Sequence, residues 1–178
     1  MTSPARYDGI AVTLHWLMAV LLIALWGLGL VLEELPKGDF RAQMFGLHKA
    51  FGALVLVLVA ARLAWRLTHA APSLPDSMTG LEVTLARLGH LALYGLMIIL
   101  PLSGIVMSQA GGREVSMFGL VLPTLVQPDH DLKEAFEEVH EVLAWILALV
   151  VGGHLLAALR HRFVLKDDVM ARMLPGGN

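Results

Sequence analysis

Four long apolar runs separated by charged connections constrain the fold of this chain more than any other feature of its sequence. The runs cover residues 10–32, 45–67, 83–108 and 136–163. A helix needs about 20 mostly apolar residues to cross a bilayer core, and each run is long enough. The pattern therefore predicts an all-α fold, a four-helix transmembrane bundle, formed by a single domain over residues 1–178.

The composition agrees with a chain that is largely embedded in lipid. Hydrophobic residues make up 57% and charged residues 16% of it, whereas soluble domains carry about 25% charged residues. The first run lacks a strongly basic preceding segment and is followed by Glu33 and Glu34. We therefore expect an uncleaved membrane helix rather than a signal peptide. The net charge of -2 gives no indication of a nucleic-acid partner, and none is expected.

Lys and Arg are unevenly distributed between the two ends of the predicted bundle. Eight lie at the end that carries both termini, here called the inner end: Arg6, Arg62, Arg66, Arg87, Arg160, Arg162, Lys166 and Arg172. Five lie at the opposite, outer end: Lys37, Arg41, Lys49, Arg113 and Lys133. The outer end also carries ten acids: Glu33, Glu34, Asp39, Glu114, Asp129, Asp131, Glu134, Glu137, Glu138 and Glu141. Because Lys and Arg are enriched in cytoplasmic loops, we expect both termini in the cytoplasm.

Histidines occur within the apolar runs, where ionisable residues are costly and usually functional. His140 and His154 are 14 residues apart in the fourth run, which places them about 21 Å apart along the helix and nearly on one face. His48 begins the second run and matches His140 in depth. His15 and His90 both lie at the inner level, so depth leaves His154 a choice between them.

This arrangement predicts two haem groups, each held between two imidazoles, with one near each end of the bundle. Covalent haem is excluded because the chain has no cysteine. One alternative is a metal site that combines histidine with a carboxylate, since Glu137 stands three residues before His140. Another is a transporter, because Pro101 and Gly104 interrupt the third run, although no charge lies at the midplane of any run.

Several short motifs occur together in an order typical of one family. They are Thr13-Leu14-His15-Trp16, Gly46-Leu47-His48-Lys49, Leu88-Gly89-His90, Pro101-Leu102-Ser103-Gly104, Phe118-Gly119-Leu120 with Pro123, Val139-His140-Glu141 and Gly153-His154. Each is weak alone, but their order and spacing are specific. With them the chain resembles, over nearly its whole length, the bacterial cytochrome b561 family of di-haem membrane cytochromes.

The resemblance implies four haem ligands at His15, His48, His140 and His154, and no ligand at His90. The two haem b groups would then lie between His15 and His154 at the inner end and between His48 and His140 at the outer end. It further implies a multi-pass protein of the bacterial inner membrane that exchanges electrons with ubiquinone or another quinone.

The electron donor is less defined by this resemblance. Some members oxidise superoxide at the outer face, which makes this small anion the leading donor and the protein an oxidoreductase. Lys49 adjoins His48, and Arg113 and Lys133 flank the segment 115–126, which should lie over the bundle. These cations either form a small positive funnel within the acidic outer end or are ordinary loop cations. A soluble redox protein is the alternative donor. Other relatives are membrane-anchor subunits that accept electrons from a docked hydrogenase or dehydrogenase.

Two further sets of residues are predicted at the inner end. His161 lies seven residues beyond His154 on the same helix face and, with Arg160 and Trp16, is expected to bind quinone and supply protons. Arg62 lies 14 residues beyond His48, at the level of the inner haem. Arg62 and Arg66 are predicted to bind haem propionates, because the guanidinium fork suits a carboxylate.

Overall fold

The computed structural model of the chain describes residues 6–75 and 77–175. Its helices are α1 (Gly9–Leu32), α2 (Asp39–Thr68), α3 (Gly80–Ala110) and α4 (His130–Arg160). A π-helical turn, His161–Leu165, continues α4, and a 3-10 turn follows at Ala171–Met173. In the described part of the chain, four helices are long and apolar enough to cross a membrane, as the apolar runs predicted.

Capping side chains set the starts of three of the helices, α1, α3 and α4. The side chain of Asp8 accepts hydrogen bonds from the first turn of α1, and Asp129 does the same for α4. Thr79 and Glu82 form a reciprocal capping box at the start of α3. Consequently α4 begins at His130 instead of 136. α2 also begins early, six residues before the predicted boundary of 45, but its N-cap is Gly38, which makes no side-chain cap bond.

One sequence prediction needs correction, and one connection contains an element that the sequence did not predict. Pro101 and Gly104 do not interrupt α3, which is continuous from Gly80 to Ala110 with Pro101 inside it. The segment 115–126 contains a short antiparallel hairpin, in which β1 (Ser116–Met117) pairs with β2 (Leu120–Val121). Its two-residue turn, Phe118-Gly119, has φ values of 51° and 91°, as in the turns that favour tight hairpins.

The hairpin segment lies against the outer end of the bundle. β1 packs on α2, and the ring of Phe118 meets that of Phe51 edge to face at 5.1 Å. The amide of Gln109 donates to the Pro123 carbonyl at 2.9 Å and accepts from the Leu125 N–H at 2.8 Å. These bonds tie the connection to α3.

Close backbone contacts run from α1 to α2, from α2 to α3 and from α3 to α4. Between α1 and α4, the rings of Trp26 and Trp145 meet edge to face with centroids 5.3 Å apart. A small buried cluster fills the middle of the bundle, formed by Met18, Val55, Val59 and Met97. This packing separates an outer from an inner region, and histidines line both.

Candidate functional site

Two pairs of histidines meet between helices, one pair near each end of the bundle. The ring centroids of His48 on α2 and His140 on α4 are 6.3 Å apart. Those of His15 on α1 and His154 on α4 are 6.1 Å apart. Metal–imidazole bonds are about 2.0–2.1 Å long, so two imidazoles on opposite sides of one metal ion have centroids about 6 to 6.5 Å apart. Both pairs have this spacing.

Glycines bring the helices close to the outer pair. A Cβ atom at Gly104 would lie 3.0 Å from Cε1 of His140, and one at Gly29 would lie 3.5 Å from Cε1 of His48. A larger side chain at Gly104 would therefore displace the imidazole. Gly29 was not among the predicted site residues. Its role depends on a contact between α1 and α2, which the sequence of α1 alone does not indicate.

The outer histidines differ in their hydrogen bonding. Nδ1 of His140 lies 3.2 Å from the Leu100 carbonyl oxygen and 3.0 Å from the Ser103 hydroxyl. With Nδ1–H donating to the carbonyl, Nε2 of His140 is left as the ring atom that can bind a metal. Nδ1 of His48 is buried and has no hydrogen-bond partner among the described residues.

The inner pair has a cation beside it. Nη2 of Arg62 lies 3.1 Å from Nδ1 of His15, and Nε of Arg62 donates to the Tyr94 hydroxyl at 3.1 Å. The sequence placed Arg62 at this depth, but its contacts with His15 and Tyr94 were not predicted. Arg66, one turn further along α2, has an exposed side chain.

His90 is a third histidine at the inner level. Its ring centroid lies 5.5 Å from that of His154, closer than two imidazoles on opposite sides of one metal ion are spaced. Its Nδ1 lies 2.7 Å from the Ala86 carbonyl oxygen of its own helix. The spacing within the His15–His154 pair matches metal binding better than the spacing between His90 and His154.

A cavity of about 1130 Å³ opens beside the outer pair and is lined by both His48 and His140. Cofactor and ligand sites usually have volumes of about 300–1,000 Å³, so a haem-sized group fits here. All five cations of the outer end line this cavity: Lys37, Arg41, Lys49, Arg113 and Lys133. Only three of the ten outer acids do so: Glu33, Glu137 and Glu141. The cavity wall is therefore locally positive by two charges, five minus three, at an end that is acidic overall.

Contacts hold most of these cations in place. Lys49 donates to the Glu114 carbonyl at 2.9 Å, Arg41 pairs with Glu33, and Lys133 pairs with Glu137. In the described residues no group of three or more His, Asp or Glu side chains could hold a metal ion. The alternative of a carboxylate–histidine metal site around Glu137 and His140 thus has no such group to support it.

The three predicted quinone residues each have a partner within the chain. Nε1 of Trp16 donates to the Met173 carbonyl at 2.7 Å. Arg160 pairs with Glu82 at 2.9 Å. His161 is 8% exposed, and its Nδ1 lies 2.6 Å from a carboxylate oxygen of Asp167.

The contacts of Trp16 and His161 hold the C-terminal segment, residues 166–175, over the inner end. Arg6 donates to the Ala171 carbonyl at 2.7 Å and Arg172 to the Ser73 carbonyl at 2.5 Å. This segment therefore lies between the inner histidines and the inner aqueous side, a placement that the sequence alone did not predict.

Comparison with known proteins identifies the group to which the chain belongs. A family described as prokaryotic cytochrome b561 matches residues 6–176. A protein of Yersinia pestis named probable superoxide oxidase CybB is 32% identical over 170 residues, which cover 96% of each chain. Cytochrome b561 homolog 2 of Escherichia coli is 33% identical over 174 residues, covering 97% of this chain and 93% of that one. These matches confirm the resemblance inferred from the motifs: the chain belongs to the prokaryotic cytochrome b561 family.

Proposed function

We propose that this protein holds two haem b groups and passes electrons between them from an outer donor to quinone at the inner end. Membership of the family implies haem b and electron transport in a membrane. Two haems are supported by the two histidine pairs, whose ring centroids are 6.3 Å apart in the outer pair and 6.1 Å apart in the inner pair. One member of each pair lies on α4, 14 residues from the other.

His48 and His140 are the proposed ligands of the outer haem, and His15 and His154 those of the inner haem. Haem supplies one-electron chemistry to such a protein. Two imidazoles on one iron leave no free coordination position, so these ligands favour electron transfer over oxygen binding. The apolar helices around them exclude water and fix the ring orientations.

Superoxide is the proposed donor at the outer end. The family relative from Yersinia pestis is named a probable superoxide oxidase, and the outer cavity of this chain carries five cations against three acids. Long-range repulsion by the other outer acids is screened over about 8 Å at physiological salt. Cations in the cavity wall, such as Lys49 and Lys133, would therefore attract a small anion near the outer histidines.

Quinone is the proposed acceptor at the inner end. Quinone reduction needs protons, which His161 would deliver with Asp167 as its hydrogen-bond partner. Arg160 and Trp16 would orient the quinone head group. Arg62 and Arg66 are proposed to pair with the propionates of the inner haem.

The greater number of Lys and Arg residues at the inner end supports an orientation with that end in the cytoplasm of a bacterial inner membrane. The contacts of Arg6 and Trp16 with the C-terminal segment place residues 6 and 175 at the same end of the bundle. Residues 1 and 178 themselves lie outside the described residues.

The test is haem content followed by rapid kinetics on the purified protein in detergent. Two haems per chain and a low-spin spectrum that carbon monoxide does not change are expected. Mixing the oxidised protein with superoxide should reduce haem faster than superoxide dismutates, and added quinone should reoxidise it.

His15→Gln should lose one haem, while His90→Gln, the matched inner-level control, should keep both. One haem in the wild-type protein would reject the two-haem proposal. Reduction by a co-purified hydrogenase or dehydrogenase, with no response to superoxide, would instead support a membrane-anchor role.

A further inference from the structure

The tip of the outer hairpin combines an exposed apolar surface with a lack of charge. Phe118 is 60% exposed, Leu120 62% and Val121 54%. The whole segment 115–126 contains no Asp, Glu, Lys, Arg or His. Single exposed apolar residues are ordinary on a protein surface, but large ones grouped in one place mark a surface that binds a protein or a membrane.

The depth of this tip in the bundle follows from one ring contact. The ring of Phe118 meets that of Phe51 on α2 at 5.1 Å. Phe51 stands three residues further into the bundle than His48, which corresponds to about 4.5 Å along the helix. A Cβ atom at Gly29 would lie 3.5 Å from the His48 ring, so this part of α1 lies level with that ring. The hairpin tip therefore reaches deeper into the bundle than the outer histidine pair.

The charged residues that the helices carry at the outer end all lie further out than this ring contact. On α1 the first is Glu33, four residues or about 6 Å beyond Gly29. On α2 the last is Lys49, two residues before Phe51. On α4 the last is Glu141, one residue inside the outer histidine pair. The contact thus lies at the outer boundary of the uncharged middle of the bundle, which is the part that crosses the bilayer core.

Hydrogen bonds at both ends of the segment hold the tip at this depth. Before the hairpin, Lys49 donates to the Glu114 carbonyl at 2.9 Å. After it, the amide of Gln109 makes the two bonds to residues 123 and 125 described above. Within the segment, the Leu122 N–H donates to the carbonyl of the buried Val115 at 2.9 Å. The apolar tip is therefore presented by an anchored stem.

We propose that the hairpin tip, residues 118–121, inserts into the outer leaflet of the bilayer and contacts lipid. β1 packs against the side of α2, one of the helices that can cross the membrane, so a tip at this depth meets the lipid that surrounds α2. Burial of its exposed apolar side chains there is favoured by the hydrophobic effect. A water-soluble partner protein does not reach a surface at this depth.

The backbone of the hairpin limits how deep the tip goes. A two-stranded hairpin presents backbone N–H and C=O groups along its outer edges, and acyl chains cannot hydrogen-bond with them. The tip therefore lies at the boundary between headgroups and acyl chains and not at the bilayer centre. This inference concerns only the position of the hairpin in the membrane, so it does not depend on the proposed haem sites.

The experiment measures the depth of the tip with spin labels on the holoprotein, reconstituted in vesicles of phosphatidylethanolamine and phosphatidylglycerol. The chain has no cysteine, so Leu120→Cys provides a single attachment site. Oxygen concentrates in lipid and a nickel chelate stays in water, so the ratio of their effects on label relaxation reports depth. Ile23→Cys, exposed on α1 and six residues deeper than Gly29, gives the lipid reference. Asp131→Cys, an exposed acid in the first turn of α4, gives the aqueous reference.

The oxygen-to-nickel ratio at residue 120 should lie well above that at residue 131 and below that at residue 23. Val121→Cys, at the neighbouring exposed position, should give the same ranking and checks that one label has not displaced the hairpin. A ratio equal to that at residue 131 for both labels would place the tip in water and overturn the inference. Shielding of both labels from both reagents would also overturn it, because protein would then cover the tip. Dipolar broadening between labels would identify that protein as a second copy of this chain.

Discussion

Asp8 and Trp65 join α1 to α2 at the inner end of the bundle, where the indole N–H of Trp65 donates to the Asp8 carboxylate at 3.0 Å. The same carboxylate caps α1 by accepting from the N–H groups of Ile10 and Ala11, both at 3.0 Å. One side chain thus fixes both the start of α1 and its position against α2.

Replacement of Asp8 should therefore destabilise the bundle without touching either histidine pair. Asp8→Ala should cost about 1 kcal/mol of unfolding free energy, as is usual for loss of a helix cap. Asp8→Asn keeps an acceptor oxygen and should cost less. Thermal unfolding in detergent, followed by helix circular dichroism, measures both, and equal stability of Asp8→Ala and the wild type would contradict the role of the cap.

The same carboxylate predicts a pH dependence. Partial burial raises the pKa of Asp8, but the hydrogen bonds from Ala11, Trp65 and Ile10 outweigh it and hold the pKa below its ordinary value of 3.8. A group whose pKa is lower in the folded state stabilises the fold above its unfolded pKa. This contribution is lost as the pH falls through the folded pKa, so wild-type stability should drop below about pH 3.8 more steeply than that of Asp8→Asn.

Gly104 should be required for the outer haem. Its absent side chain leaves room for the His140 ring, which a Cβ atom would approach to 3.0 Å. Gly104→Val should therefore remove or loosen one haem, measured as haem per chain and as a changed low-spin spectrum. Gly27→Ala is the matched control, since a Cβ atom there meets nothing within 4 Å. Two normal haems in Gly104→Val would show that the ring position is not critical.

The cations of the outer cavity should control the rate of reduction by superoxide. Lys49→Glu and Lys133→Glu should each slow haem reduction at low salt, and the difference should shrink as salt screens the charges. Asp131→Lys changes an acid outside the cavity by two charges of the opposite sign and should have little effect. Stopped-flow absorbance measures these rates, and an acceleration in Asp131→Lys as large as the slowing in the two lysine variants would indicate that net charge alone matters.

His161 should affect quinone reduction and leave both haems intact. Removing a group that transfers protons slows such a step on the order of 100-fold, so His161→Leu should slow haem reoxidation by quinone to this degree. Asp167→Asn should slow it less, because the hydrogen-bond partner remains. His130→Leu, at an exposed outer-end histidine, is the control. An unchanged rate in His161→Leu would leave His161 with only the structural role of holding the C-terminal segment.

The membrane-spanning helices could be predicted because apolar length reports directly on burial in lipid. Their ends could not, because capping by Asp129 and the Thr79–Glu82 pair carries the helices past the apolar runs. The hairpin was not predicted, because it depends on the positive φ values of Phe118 and Gly119. The sequence of one short apolar segment does not indicate these backbone angles.

The depth of each histidine in the candidate site could be predicted from the sequence, but many of the contacts between helices could not. The helical rise assigned His140 and His154 to opposite ends, and helix direction matched His48 to His140. Depth could not distinguish His15 from His90, because both lie at one level and only their lateral positions differ. Gly29 and Tyr94 were not predicted for the same reason. Each contacts a side chain of another helix, and the sequence does not show which helix faces lie against each other.

The placement of one histidine of each pair on α4 has a consequence for biosynthesis. A chain that has inserted only α1, α2 and α3 contains His15 and His48 but neither of their partners. Under the proposed function, neither haem can gain its second ligand until the last helix enters the bilayer. Haem loading at the two ends should then begin at the same stage of insertion, and a chain truncated before α4 should acquire neither haem with two histidine ligands.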